Sequence, residues 1–174
     1  MSSIYWYRLL FRLRLHEADG MVFQNLINSV FHGGPEDFQA IAPWGRKGDG
    51  GNDGYIQSTG HYLQVYGPKA GSAWSPAVAA KKAEEDFAKL KSNWTGLKRY
   101  SFVLNDRFQG VPSVVEQALQ SIRQNHNIDT DVITCAQLTD RFTKLPDYVM
   151  IEIVGGVPSE QPAFIDKRKV GELL

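Results

Sequence analysis

Gly45-Arg46-Lys47-Gly48-Asp49-Gly50-Gly51-Asn52-Asp53-Gly54-Tyr55 and, shortly after it, His61-Tyr62-Leu63-Gln64-Val65-Tyr66-Gly67-Pro68 form the stretch on which the fold turns. The first part is crowded with glycines and carries two carboxylates. Glycines stabilise neither a helix nor a core, but they let the backbone bend sharply and let other groups approach it closely. The second part alternates with a period of two, so Tyr62, Gln64 and Tyr66 share one face of a strand and Leu63 and Val65 the other. The expected local structure is a hairpin: Asp53 enters its first strand, the turn falls near Gln57-Ser58-Thr59-Gly60, and Gln64 returns opposite.

The surroundings suit one domain. The chain has 174 residues, 43% hydrophobic and 22% charged, with zero formal net charge. That length supports a sizeable core, and that composition is ordinary for a globular protein. Zero net charge argues against a generic polyanion binder while leaving room for a local basic patch. Cys135 is the only cysteine, so no intrachain disulfide forms, which suits a reducing, cytoplasmic setting. No segment has the length and apolarity of a membrane span. Residues 4–15 are apolar and aromatic but carry Arg8, Arg12 and Arg14. They are expected to pack on the domain with the arginines reaching water; a basic membrane-surface helix is the alternative.

Working outward, residues 16–32 read as a helix with Phe23, Leu26, Ile27, Val30 and Phe31 on one face, Asp19 near its start and Gly33-Gly34-Pro35 at its end. Phe38 to Ala42 reads as a short strand. Residues 76–93 read as an amphipathic helix burying Ala83, Phe87, Leu90 and Trp94, with Lys81, Lys82, Glu84, Glu85 and Lys89 on its wet side. Lys98 to Leu104 reads as a buried strand, and a helix opens at Pro112 with Val115, Ala118, Leu119 and Ile122 inward. Asp131 to Cys135 reads as a strand, Ala136 to Leu145 as a short helix, and Tyr148 to Val154 as a strand or packed segment. Strands alternating with helices imply an α/β fold with a mixed central sheet covered by helices on both faces. The domain is expected over 1–154, with 155–174 a docking arm or partly disordered tail.

Several chemistries fit the glycine loop poorly. A phosphate cradle needs the loop to run into a helix N-terminus, and this one runs into a hairpin. A calcium loop needs alternating ligands, which Asp49, Asn52 and Asp53 do not provide, and a closing Glu where Gly60 stands. The histidines show no paired zinc spacing, and Cys135 reads as a small core residue rather than a nucleophile. What remains is a hard cation held by Asp53, the Gln64 side-chain carbonyl and the Val65 backbone oxygen. Oxygen ligands suit Mg²⁺, with Mn²⁺ as the alternative ion; such a metal activates water and polarises a phosphodiester. Asp53 also suits a plain turn cap, and Gln64 a plain cross-strand hydrogen bond. Arg46 and Lys47 would position phosphates if nucleic acid binds, as would Arg107 and Lys98-Arg99. Tyr66 and Tyr62 read as face packing or substrate contact, and Trp44 as core or a stacking platform.

Gly48-Asp49-Gly50-Gly51-Asn52-Asp53-Gly54 followed by Leu63-Gln64-Val65 resembles the core of the restriction endonuclease-like, PD-(D/E)XK superfamily. The nearest pattern is the branch with G-x-G-G-x-D-G followed by Q-x-K. Gly20-Met21-Val22-Phe23-Gln24-Asn25-Leu26 resembles that branch's first helix, which usually carries F-E, and the α-β-β-β-α-β order covers residues 20–135. The resemblance implies metal-dependent DNA cleavage, often within a bacterial defence system. Two positions depart from the pattern. Tyr66 stands where the family has lysine, and Gln24 where its helix has glutamate. Lys69, just past Gly67-Pro68, or Lys47 is the expected electrostatic substitute, because a neutral tyrosine stabilises developing phosphate charge poorly.

The functional expectation is therefore an Mg²⁺-dependent DNA endonuclease with Asp53, Gln64 and Lys69 in the chemistry and Arg46, Lys47 and Tyr66 against DNA. It would work as a homodimer or as a subunit of a larger complex. The alternatives are a catalytically degenerate module that binds nucleic acid or a partner, and a structural subunit associating through residues 4–15.

Overall fold

A computed structural model describes residues 3–42, 50–69 and 74–156. Among these the order is α1 (Ser3–Glu17), α2 (Gly20–His32), β1 (Phe38–Ala40), β2 (Gly54–Ile56), a 3₁₀ turn (Gln57–Thr59), β3 (His61–Tyr66), α3 (Pro76–Asn93), β4 (Arg99–Leu104), α4 (Ser113–His126), β5 (Asp129–Ile133), α5 (Cys135–Phe142) and α6 (Asp147–Val154). The strands form one sheet in the order β1-β2-β3-β4-β5. β1–β2 and β2–β3 are antiparallel, β3–β4 and β4–β5 parallel. The fold is thus mixed α/β, and the helical connections α3 and α4 are what parallel neighbours require.

Period-two alternation sends side chains to two separate cores. Leu63, Val65 and Val103 join Phe11, Leu15, Phe23, Ile27, Leu138 and Phe142 on the face covered by α1, α2, α5 and α6. Tyr62, Tyr100, Phe102 and Leu104 join Ala83, Phe87, Leu90, Leu119 and Ile122 under α3 and α4. The facing expected for β3 holds, and helices cover both sides of the sheet.

Several boundaries differ from the sequence reading. The expected helix over 16–32 is two helices. The chain extends at Asp19, and the Gly20 amide donates to Gly67 O at 2.9 Å, so α2 starts against the end of β3. A Cβ on Gly67 would lie 2.9 Å from both Gly20 N and Phe23 Cβ, which explains the glycine. Residues 4–15 belong to α1 and pack inward through Tyr7, Phe11 and Leu15. Strand β5 spans Asp129–Ile133, two residues earlier than expected. Thr134 ends it with a capping box closed by Gln137, so Cys135 opens α5 rather than ending a strand. Residues 147–154 are a helix, not a strand; Met150, Ile153 and Val154 fall at helical spacing and pack against α1 and α2. The strand expected to reach Ala42 stops at Ala40. The expected tail lies outside the described residues beyond 156.

Candidate functional site at the Asp53 bend

Asp53 sits where the β2–β3 ladder becomes irregular. Gly54 is the residue paired with Leu63, yet the Asp53 amide donates to Leu63 O at 3.0 Å. The Gly54 amide turns instead to Asn52 Oδ1 at 3.0 Å. This extra residue bends the strand in the manner of a β-bulge and re-aims the Asp53 side chain. Its Oδ2 accepts the Val65 amide at 2.7 Å, taking the place of a strand carbonyl. Its Oδ1 accepts Gln24 Nε2 at 2.8 Å, which joins α2 to the bend. The Asp53 carbonyl accepts the Ile41 amide at 3.0 Å.

Gln64 lies on the neighbouring strand, on the face toward α3, with 4% of its surface exposed. Its Oε1 is buried and has no hydrogen-bond partner, as is also true of Asn52 Nδ2. A buried carbonyl oxygen left unpaired costs about 1–3 kcal/mol. Any donor or cation reaching it removes that cost.

Helix α3 closes the bend from above. Gly51 has φ +83°, and a Cβ there would lie 2.2 Å from Asp86 O. Only glycine permits both the left-handed backbone and this contact. Asp86 is buried on the inner face of α3 and is gripped by Lys82 Nζ at 2.5 Å and Lys89 Nζ at 3.0 Å. Tyr100, fully buried and donating to Ala83 O at 3.1 Å, lies within the field of both carboxylates. Burial, then Asp86, then Asp53 push its phenol well above the ordinary tyrosine range.

The structure brings Asp53, the Val65 amide and Gln24 together; Gln64, next to Val65 on β3, sends its side chain to the face toward α3. Val65 contributes its amide to the Asp53 carboxylate. Tyr66 is half-buried and stacked on Phe102, ring centroids 5.8 Å apart. Lys69 is exposed beyond Pro68. Arg46, Lys47, Trp44 and Asp49 lie outside the described residues. Arg107 is tied to Pro68 O at 2.7 Å and His16 O at 3.3 Å, and Arg99 to Asp131 at 2.7 Å; both have intramolecular work. Among the described residues no group of three or more His, Cys, Asp or Glu is placed to hold a metal.

Sequence reading missed Asp86. Its signal was there: it falls three residues after Ala83 and four before Leu90, on the buried stripe of α3. No protein-family model, curated protein or solved structure matches this chain.

Proposed function

We propose that the chain is a divalent-metal-dependent endodeoxyribonuclease of restriction endonuclease-like fold, with Asp53 and Gln64 as its metal ligands. The observation that carries this reading is the buried, unpartnered Oε1 of Gln64 on the strand whose next residue, Val65, donates its amide to the carboxylate of the glycine-bent segment. Stability alone gives no reason to keep an amide there. Asp53 provides charge, Gln64 a neutral oxygen, and the Val65 backbone carbonyl a third donor. An oxygen-only set of this kind suits Mg²⁺ or Mn²⁺, with phosphate and water completing the shell. When bound, the ion supplies Lewis acidity toward a phosphodiester and an activated water. The chain's own part is to hold the ligands rigidly: Gln24 and the Val65 amide orient Asp53, and the two faces of β3 are locked in separate cores. One such site per chain cuts one strand, so duplex cleavage takes a second copy or a partner subunit.

The test is conversion of supercoiled plasmid in Mg²⁺, Mn²⁺ or EDTA, wild type beside Asp53→Asn. Expected are nicked or linear product with metal, none in EDTA, and at least a hundredfold loss in Asp53→Asn. Undiminished cleavage by Asp53→Asn would remove this site from the chemistry.

A second reading is favoured by Gln24 and Tyr66. The Gln24 amide already satisfies one Asp53 oxygen, and stacked Tyr66 offers no charge. Under it the chain is a non-catalytic module of the same fold that binds nucleic acid or a partner. Salt-sensitive DNA binding retained by Asp53→Asn, with no cleavage by wild type, is its signature.

A further inference from the structure

We propose that the groove between α1, α2 and α6 is a docking site for the chain's own carboxy-terminal segment, residues 157–174, with Phe164 and Ile165 as its apolar anchors. This docking does not depend on whether Asp53 takes part in cleavage. Helix α1 carries more apolar surface than the domain covers. A surface helix ordinarily buries one stripe and turns polar residues outward. Tyr7, Phe11 and Leu15 are that buried stripe. Trp6, Leu9 and Leu13 form a second one at spacings of three and four, between 37% and 52% exposed. Beside it lies a groove of about 630 Å³, walled by Leu13 of α1, Val22 and Leu26 of α2, and Ile153 of α6. A concavity of that size and lining accepts a few apolar side chains, and filling it removes their surface from water.

The course of the chain points to its occupant. Arg14 reaches across from α1 to Val154 O, at 3.2 Å, where α6 ends. Gly155 and Gly156, with φ of +84° and +85°, then turn the backbone out of the helix. The segment after Gly156 therefore starts at the groove's own wall. It carries the apolar run Ala163-Phe164-Ile165 and, just beyond, the basic run Lys167-Arg168-Lys169. Eight extended residues from Gly156 to Phe164 span up to about 26 Å. The groove side of α1, from Glu17 to Leu10, is only about 10 Å long. Charge matches as well. Glu17 and Glu152 line the groove, and neither has an ion-pair partner among the described residues. A basic run following the apolar anchors meets those carboxylates. A short tether also gives the segment an effective concentration in the millimolar range, an advantage that a second copy lacks. An occupied groove braces the turn of α2 around Val22, Asn25 and Leu26, from which Gln24 holds Asp53.

Two measurements on the full chain test this. The first is amide hydrogen exchange over residues 163–170 in wild type, Leu13→Asp and Val22→Asp; both substituted positions are exposed, which spares the core. Exchange in wild type is expected to be at least about tenfold slower than in a free peptide, and both substitutions should abolish that protection. The second is disulfide formation in the double substitution Leu13→Cys with Phe164→Cys, oxidised at low protein concentration, while buried Cys135 stays a thiol. The control is Val114→Cys with Phe164→Cys, because exposed Val114 sits on α4, across the sheet. An intrachain bridge is expected with position 13 and at least about tenfold slower bridging with position 114. Equal bridging at both positions overturns the proposal, since the segment then has no preferred seat. Bridges between chains overturn it too and give the groove to a second copy. Unprotected amides over 163–170 in wild type overturn it even where the double substitutions fail to fold.

Discussion

Gln64 combines two properties that rarely meet in a side chain kept for packing: near-complete burial and an oxygen with no donor. Replacement by methionine keeps the unbranched shape and removes the orphaned carbonyl. Gln64→Met is therefore expected to stabilise the chain by about 1 kcal/mol, which for this size raises Tm by about 2–4 °C, while abolishing cleavage. Calorimetry beside the plasmid assay checks both signs; a fall in Tm would mean that the amide is structural. The neighbouring Asp53 illustrates the limit of a one-dimensional reading at this scale. An Asn-Asp-Gly run signals a bend, and the bend is there. That its carboxylate replaces a strand carbonyl toward Val65 and receives Gln24 depends on which helix packs across it. Asp86 shows the converse. Its address on the buried stripe of α3 is readable from the helical spacing, while the two lysines that grip it, one turn to either side, belong to the wet face.

Among the elements, α1 shows how an arginine-bearing apolar segment becomes core. Phe11 is fully buried and stacks on Phe142 of α5, centroids 4.1 Å apart and planes 2° from parallel. Asn105 then holds the end of the helix, its Nδ2 donating to Leu15 O and Ala18 O, each at 2.8 Å. Phe11→Ala should cost about 3–5 kcal/mol in denaturant unfolding, because a ring-sized cavity opens between two helices. A loss under 1 kcal/mol would mean that α1 contributes little to the domain. The parallel strands carry a second device that no local pattern announces. His61 on β3 donates from Nε2 to Ser101 on β4 at 2.6 Å, and Ser101 donates to Asp131 on β5. Burial first, then Arg99, with Arg141 adding to them and Asp131 and Glu36 opposing, lowers the His61 pKa to about 4. The folded state thus resists a proton that the unfolded chain accepts near 6.5. Below that pH the unfolded chain binds the extra proton, so stability is complete above pH 6.5 and falls as pH drops toward about 4. His61→Gln should flatten that part of the stability–pH curve, measured by urea unfolding; an unaltered slope would place the dependence elsewhere.

Over the whole molecule, the sheet separates two cores, one under α1, α2, α5 and α6 and one under α3 and α4. Cys135 belongs to the quiet part. It is buried beside Asn105 and Asp106, and burial followed by the Asp106 carboxylate pushes its thiol up to about 12, which keeps it out of thiolate chemistry. No helix among the described residues is long and apolar enough to cross a membrane.

By itself the sequence determined the class of architecture and the place of the bend. Periods of two and 3.6, glycine clusters and prolines are local properties, and they survive in β3, α3 and α4 almost to the residue. Tertiary structure alone decided two things: that residues 16–32 break at Asp19 to meet Gly67, and that the Asp86 backbone and the Gln24 amide reach the bend at Gly51 and Asp53. Each depends on contacts between residues far apart in the chain. Such contacts are chosen by how surfaces fit once the sheet exists, and no neighbouring residues encode them.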